Sequence, residues 1–278
     1  MDDAYFSPGV SWSDRLGTIS ATLSDFEAAN RAVVLRCLRE DQLRIVINMP
    51  AEALLAMLGG DHYRNSYELP FVAGQTRGPS PKRISVDRLL GFVPDGRNHY
   101  FGAISLGGTG VRFYGEYCVV LRPEATEDVR VLDRNSYELL EDPLAKEPNP
   151  TALVQTLSAT WEEVPSVLVL KVLLGAVAHH PNRLLPPGVV AETVLRDEDF
   201  LEVHFRQRIV APAIEEVRQA PEEVSRETHL RQLAANGQML RPEELIWASR
   251  RHQVDLATTR TATRNRIVTT GGRGARWR

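Results

Sequence analysis

Residues 98–123 read NHYFGAISLGGTGVRFYGEYCVVLRP. Two runs rich in β-branched and aromatic residues, 100–106 and 111–121, flank a cluster of three glycines at 107, 108 and 110. Two such runs joined by a glycine-rich turn are typical of a β-hairpin. The stretch therefore predicts a pair of antiparallel strands, around which the rest of the chain can be placed.

An aromatic residue precedes a glycine in each run, at Phe101-Gly102 and at Tyr114-Gly115. Glycine inside a strand marks a bulge or a place where another group approaches the backbone closely. That group is either a ligand or a neighbouring part of the sheet, and the sequence leaves both open.

Composition sets the class of protein. The chain has 278 residues, a formal net charge of -3, 43% hydrophobic and 25% charged residues, which is enough for one large core or for a core with a small helical appendage. This net charge favours neither nucleic acid nor an anionic membrane as partner. The two cysteines, Cys37 and Cys118, lie within apolar patterns and cannot form a disulfide framework.

The chain opens without a charged and then apolar leader, and its longest apolar run, 167–178, contains Lys171 and is too short to span a bilayer. We therefore expect no membrane partner and a cytoplasmic protein. Delivery into another cell by a route that reads no leader is the alternative.

Periodicity along the rest of the chain predicts the other elements. Helices are expected over 12–40, 51–58, 82–92, 151–178 (a pair broken at Pro165), 211–235 and 242–256. Further strands are expected within 41–50 and over 127–132, 189–195 and 200–205. These elements divide the chain into N-terminal helices (1–40), an α+β domain (41–220), a helical extension (221–256) and a flexible basic tail (257–278).

One phrase occurs twice. Arg-Asn-Ser-Tyr-Glu-Leu stands at 64–69 and again at 134–139. The two copies either form the same turn, with Asn and Ser bonded to nearby backbone, or place polar groups over one cleft. No longer period surrounds them, so a duplicated domain is not expected.

The order of several short phrases resembles a bacterial family of unknown function, identified as a divergent relative of the ADP-ribosyltransferase-like fold. The resemblance covers Leu43 to about Ala220. Its phrases are NMP at 48–50, YRNSYE at 63–68, YFGA at 100–103, FYG at 113–115, DRNS at 133–136 and FLEVH at 200–204. It implies an α+β fold with a split, mostly antiparallel sheet, flanked here by N-terminal helices and a helical C-terminal extension.

The resemblance also implies NAD as a substrate, bound in a cleft between two small sheets. Glu202 matches the strand-borne glutamate that stabilises the ribosyl oxocarbenium ion, and His204 shares its strand face. The residues expected at the cofactor are Arg44 or, four residues on, Asn48 at the nicotinamide end, Tyr100 and Tyr114 as stacking rings, and Arg64 in the first copy of the repeat.

The match has departures. Asn48 stands where relatives carry a histidine, and the chain has no Ser-Thr-Ser triplet and no Glu-x-Glu pair. Loss of activity or a changed ligand therefore stays open. Simpler structural explanations also stay open, with Glu202 on the solvent side of a half-exposed strand and Arg44 as a charge that protects a sheet edge.

The resulting hypothesis is transfer of ADP-ribose from NAD to an intracellular macromolecule by an effector, toxin or defence protein. The acceptor is expected to be a protein, with nucleic acid, bound through the basic tail, as the alternative. A non-enzymatic interaction protein on a degenerate form of the same fold is the second hypothesis. No metal site is expected, because no third ligand stands at a suitable spacing from Glu202 and His204.

Overall fold

The computed structural model describes residues 10–40, 43–68, 78–92, 99–123, 129–179, 182–196, 199–220, 229–230, 232–233, 235–242, 244–246, 248–250, 253–254 and 268–271. Two compact units are each assembled from three segments: unit 1 from 1–43, 64–106 and 126–207, and unit 2 from 44–63, 107–125 and 208–278. The α+β class is confirmed, with helices and an open antiparallel sheet. Likeness to ADP-ribosyltransferases and the four-part division along the chain stay predictions.

The helices are α1 (Trp12–Ser20), α2 (Asp25–Glu40), α3 (Ala51–Leu58), α4 (Pro81–Leu89), α5 (Pro150–Thr156), α6 (Val164–Val172) and α7 (Pro187–Val194). The strands are β1 (Arg44–Met49), β2 (Tyr100–Ser105), β3 (Tyr117–Leu121), β4 (Arg130–Leu132), β5 (Ser158–Ala159), β6 (Glu202–Phe205), β7 (Ile214–Gln219) and β8 (Val268–Gly271). In the described part of the chain, no helix has the length and apolar character needed to cross a membrane.

Helix α6 is the centre of the helical layer of unit 1. Its sequence, VPSVLVLKV, is apolar almost all round, which is typical of a helix surrounded by protein. Contacts with α1, α2 and α7 cover it. The helix pair predicted over 151–178 is confirmed, with Pro165 in the first turn of the second helix, where proline costs no hydrogen bond, but the first helix already ends at Thr156.

Four strands of unit 1 follow the order β5–β4–β6–β2, and every pair is antiparallel. In unit 2 the order is β1–β3–β7–β8, with β8 parallel to β7 and the other pairs antiparallel. Strand β1 is buried along almost its whole length, as its apolar sequence RIVINM predicts, and α3 follows it directly after Pro50.

The predicted hairpin is wrong. Strand β2 pairs with β6, whereas β3 pairs with β1 and β7. The second run begins as a 3-10 turn, Arg112–Tyr114, so its strand starts only at Tyr117. The glycine-rich connection is instead held by Asn48, whose Nδ2 donates to the carbonyls of Thr109 (2.9 Å) and Gly115 (3.1 Å).

Three further expectations are corrected. Residues 189–195 were expected as a strand but lie largely in α7, where Val190 and Val194 are buried one helical turn apart. The helix expected over 211–235 is wrong at 214–219, which form β7. Residues 268–271 of the expected flexible tail form β8, and its other residues lie outside the described residues.

The structure confirms the other predicted elements named here, with shifted ends. They are the helices at 12–40, 51–58 and 82–92 and the strands within 41–50, 127–132 and 200–205.

The close approach predicted at Gly115 is made by the neighbouring strand. A Cβ at Gly115 (φ +153°) would overlap the Met49 carbonyl and lie 2.5 Å from Pro50 N. Gly115→Ala should therefore lower the free energy of unfolding by more than about 3 kcal/mol, since backbone would have to move. Urea unfolding measures the change.

Gly108→Ala is the matched control. Gly108 also has a positive φ (+78°), but apart from its chain neighbours no described residue has an atom within 4 Å of the position of its Cβ. Only the backbone strain remains, which costs roughly 1 kcal/mol. Equal losses in the two variants would contradict the role of Gly115 at β1.

Candidate functional site

Three neighbouring strands of unit 1 place chemically active side chains on one face. Glu202 and His204 are two residues apart on β6, so their side chains point to the same side of the sheet. On β2, Ala103 lies opposite Glu202 and Phe101 opposite His204. On β4, Arg130 lies opposite His204. Residues opposite each other on adjacent strands share a face, which brings these side chains together.

Glu202 is 3% exposed, so it does not lie on a solvent-facing side of its strand. The Nε2 atom of His204 lies 2.9 Å from the Oε1 atom of Glu202. The Oε2 atom of Glu202 accepts two hydrogen bonds from Ser136, one from the Oγ hydroxyl (2.9 Å) and one from the backbone N–H (3.1 Å). The Arg83 guanidinium adds a positive charge 3.9 Å from Oε1. Every oxygen of this carboxylate is therefore paired inside the protein.

These partners decide the charge of Glu202. Burial by itself raises the pKa of the carboxyl, but the hydrogen bond from His204, the charge of Arg83 and the Ser136 N–H outweigh burial and hold the pKa below its ordinary value. An ionised carboxylate only accepts hydrogen bonds, so Nε2 of His204 is the donor in this pair. The Nδ1 atom of a neutral imidazole is then the proton acceptor, and no described residue hydrogen-bonds to it in this structure.

Helix α4 brings Arg83 over the sheet. Asp87, one turn further along α4, accepts from Arg83 Nε at 2.8 Å and from Nη2 at 2.5 Å. The guanidinium carbon lies 3.8 Å from the centre of the Phe101 ring. Burial alone would lower the pKa of Arg83, yet the Glu202 charge and Asp87 outweigh it and raise that pKa. Arg83 therefore stays charged, fixed between one carboxylate on its own helix and one on β6.

The two copies of the repeat form the same turn. In each, the Asn side chain accepts from the backbone N–H of the Tyr two residues on: Asn65 from Tyr67 (2.9 Å) and Asn135 from Tyr137 (3.1 Å). The turn interpretation is confirmed. Both copies also reach α4, because Tyr67 donates to Asp87 at 2.5 Å and the Tyr137 ring centre lies 5.6 Å from the Arg83 guanidinium.

A cavity of about 310 Å³ opens beside His204. Its aromatic wall is Phe92, which stacks on His99 with ring centres 3.9 Å apart and meets the His204 ring edge-on at 5.2 Å. The described residues that line it are Leu90, Gly91, Phe92, His99, Arg130, Val154, Gln155, Ser158, His204 and Arg206. His204 is thus the member of the buried network that reaches the cavity, whereas Glu202 lies behind it.

The five residues expected at the cofactor do not line this cavity. In unit 1, Tyr100 is buried and donates to Glu68 at 3.0 Å, while Arg64 is exposed at the start of its turn. In unit 2, Arg44 forms an ion pair with Glu215 (2.7 Å) and Asn48 is bonded to the glycine-rich connection. Tyr114, also in unit 2, is 44% exposed and packs edge-on against Phe113.

Sequence reasoning found Glu202 and His204 but missed the residues around them. The spacing of Arg83 and Asp87, four apart on an expected helix, was a usable signal for an ion pair. Ser136 stood in the repeat already singled out. Arg130 gave no signal, because its approach to His204 depends on the β4–β6 register, whereas Arg206, two residues beyond His204, could have been found by extending the alternation of β6. Among the described residues, no group of three His, Cys, Asp or Glu side chains is placed to hold a metal ion.

Comparison with protein-family models gives no match, and comparison with curated proteins gives no significant match either. The site is therefore interpreted from its own geometry.

Tyr67→Phe should lower the free energy of unfolding by about 1.5–3 kcal/mol at pH 7, because it removes a hydrogen bond to the buried Asp87 carboxylate. Burial, the bond to Asp87 and the Asp87 charge raise the pKa of Tyr67 to about 12, from an ordinary 10.0. The stabilisation is therefore full below pH 10 and is lost as the pH rises through about 12. Urea unfolding between pH 7 and alkaline pH measures it.

Tyr137→Phe is the control from the other copy of the repeat, since its hydroxyl has no hydrogen bond to a described residue. We expect a change within about 0.5 kcal/mol. Equal effects of the two substitutions would contradict the assigned bond to Asp87.

Glu202→Gln should lower the free energy of unfolding by about 2–4 kcal/mol at neutral pH, because it removes a paired buried charge. The folded-state pKa of Glu202 is depressed, so its contribution is present above the ordinary value of 4.5 and is lost as the pH falls below it. The acid-induced loss of stability should be shallower in Glu202→Gln than in the wild type and unchanged in Glu192→Gln, an exposed glutamate of α7. Identical acid profiles for wild type and Glu202→Gln would rule out the depressed pKa.

Proposed function

We propose that the protein binds NAD in the cavity of unit 1 and transfers its ADP-ribose group to an intracellular macromolecule, with a protein as the expected acceptor. The observation that carries the proposal is an imidazole, His204, on the wall of a cavity and backed by a buried, ionised carboxylate. NAD is proposed as the substrate because residues 43–220 resemble the ADP-ribosyltransferase-like fold.

The chemistry assigns separate tasks to the two side chains. The bond between the ribose C1′ and the nicotinamide nitrogen breaks, its electron pair leaves with nicotinamide, and the ribose becomes an oxocarbenium ion. The acceptor nucleophile attacks C1′, and Nδ1 of His204 takes its proton. The Glu202 carboxylate then stabilises the imidazolium, an effect that burial strengthens.

This arrangement gives Glu202 a different role from the one expected from the sequence. Direct contact with the ribose was expected, but its oxygens are bonded to His204 and Ser136. In the proposed mechanism, Glu202 is a positioning residue that fixes the tautomer and the charge of His204.

Glu202→Gln and His204→Asn should both bind NAD with near wild-type affinity but show roughly 10²–10⁴ times slower net release of nicotinamide. Removal of a general base or its supporting carboxylate slows capture of the ribosyl cation by that much, and an uncaptured cation recombines with nicotinamide. Calorimetry measures binding, and chromatography of the same samples measures nicotinamide. A purified acceptor is not required if water acts as nucleophile.

Glu192→Gln is the control, since Glu192 is exposed on α7 and does not line the cavity. It should match the wild type in both assays. Absence of NAD binding at millimolar concentration, or unchanged nicotinamide release by both site variants, would refute the proposal.

The second candidate is a non-enzymatic interaction protein on the same fold. It is favoured by an exposed aromatic pair in unit 2: Phe113 is 81% exposed, and its ring meets that of Tyr114 edge-on at 5.3 Å. Aromatic side chains of this kind are enriched at protein interfaces. A chain of this class would bind no NAD, and Glu202→Gln would change only its stability.

A further inference from the structure

We infer that Arg130 and Arg206 form an anion subsite that holds the phosphate groups of the ligand in this cavity. The inference rests on the proposed function in taking a nucleotide as the ligand, and it adds which group of that ligand is recognised and by which residues.

Strand geometry places both arginines beside His204. Arg130 lies directly opposite His204 on β4, where side chains of paired residues are about 5 Å apart at Cβ. Arg206 is two residues beyond His204, just past the end of β6, and so continues the Glu202–His204 stripe. Both arginines line the cavity. Two guanidinium groups therefore approach the same space from adjacent strands.

The charge balance of the lining favours an anion. Among the residues that the structure describes, its titratable members are Arg130, Arg206, His99 and His204, and none of the described lining residues is a carboxylate. The carboxylate behind the wall, Glu202, is already bonded to His204 and Ser136. Arg130 and Arg206 are therefore cationic groups that no described acid of the lining neutralises.

Neither arginine has an acid within ion-pair distance in the part of the chain that the structure describes. Arg130 does act at longer range on Glu162, where its charge contributes to a lowered pKa after the hydrogen bonds to that carboxyl. Both arginine residues are exposed, so their planar donor groups remain able to bind an anion from solvent. A guanidinium group matches phosphate oxygens with two parallel hydrogen bonds, and two such groups fit a diphosphate.

The location differs from what the resemblance implies. There, an arginine on the first strand is expected at the cofactor, and in this chain that residue is Arg44. Arg44 instead forms an ion pair with Glu215 in unit 2. The apolar and aromatic part of the lining, with Leu90, Val154 and the Phe92 ring, provides a surface for a base or a pyridine ring beside the subsite.

The test is calorimetric binding of ADP and of adenosine to the full chain, at low ionic strength and at about 0.15 M salt. ADP should bind the wild type, and more weakly at the higher salt. Arg130→Gln and Arg206→Gln should each weaken ADP binding roughly tenfold, and the double variant roughly a hundredfold, because each removes a charge-assisted contact to phosphate. Adenosine has no phosphate, so the two single variants and the double variant should bind it as the wild type does.

Arg183→Gln is the control, an exposed arginine of unit 1 outside the cavity lining, and it should leave ADP binding unchanged. Thermal unfolding of every variant checks folding, since exposed substitutions change stability by only about 0.5 kcal/mol. No ADP binding at millimolar concentration, or equal binding by wild type and the double variant, would overturn the subsite. ADP binding that depends on both arginines, in a protein that releases no nicotinamide from NAD, would support the subsite while refuting the transferase.

Discussion

A buried, ionised carboxylate is the constraint on which unit 1 depends. Taking such a group out of water costs several kcal/mol unless charges and hydrogen bonds compensate it. Glu202 is 3% exposed and finds its compensation at Arg83 and Ser136, which are distant in the sequence, and at His204 on its own strand. Burial of Glu202 on β6 is therefore stable only when helix α4 and the second repeat turn are also in position.

Apolar packing brings these elements together, and the polar network then fixes their register. Val86 and Leu90 of the α4 region pack against a buried cluster with Leu132, Leu139, Val154 and Leu157. Each such side chain stabilises the fold by about 1.5–3 kcal/mol, so six of them outweigh the net contribution of the hydrogen bonds, at about 1–3 kcal/mol each. Packing alone does not specify where Arg83 lies along the sheet. The ion pair of Arg83 with Glu202 and its hydrogen bond to Ser136 Oγ do.

The sequence predicts local structure well where the signal is local. The glycine pair at 59–60 ends α3, the Asn of each repeat forms the expected turn, and alternation along LEVHF puts Glu202 and His204 on one face. The sequence does not predict which strands pair when the partners are far apart along the chain. The runs on either side of the 107–110 glycines look like a hairpin because nothing in them shows that β2 pairs with β6 and β3 with β1.

The same limit applies to the site. His204 is visible in the sequence as a neighbour of Glu202, but its neighbour Arg130 lies 74 positions away and meets it only through the β4–β6 register. Likewise, the burial of Glu202 depends on Arg83, which lies on helix α4. Nothing in the sequence of α4 shows that Arg83 pairs with Glu202.

The central claim is that ionised Glu202 holds His204 in one tautomer, with a proton on Nε2 and with Nδ1 free to accept a proton in the cavity. Nitrogen-15 NMR of the histidine side chains, assigned by comparison with His204→Asn, tests it directly. The account predicts a protonated Nε2 and an unprotonated Nδ1 in neutral His204 of the wild-type protein. A neutral His204 with its proton on Nδ1 would contradict the account.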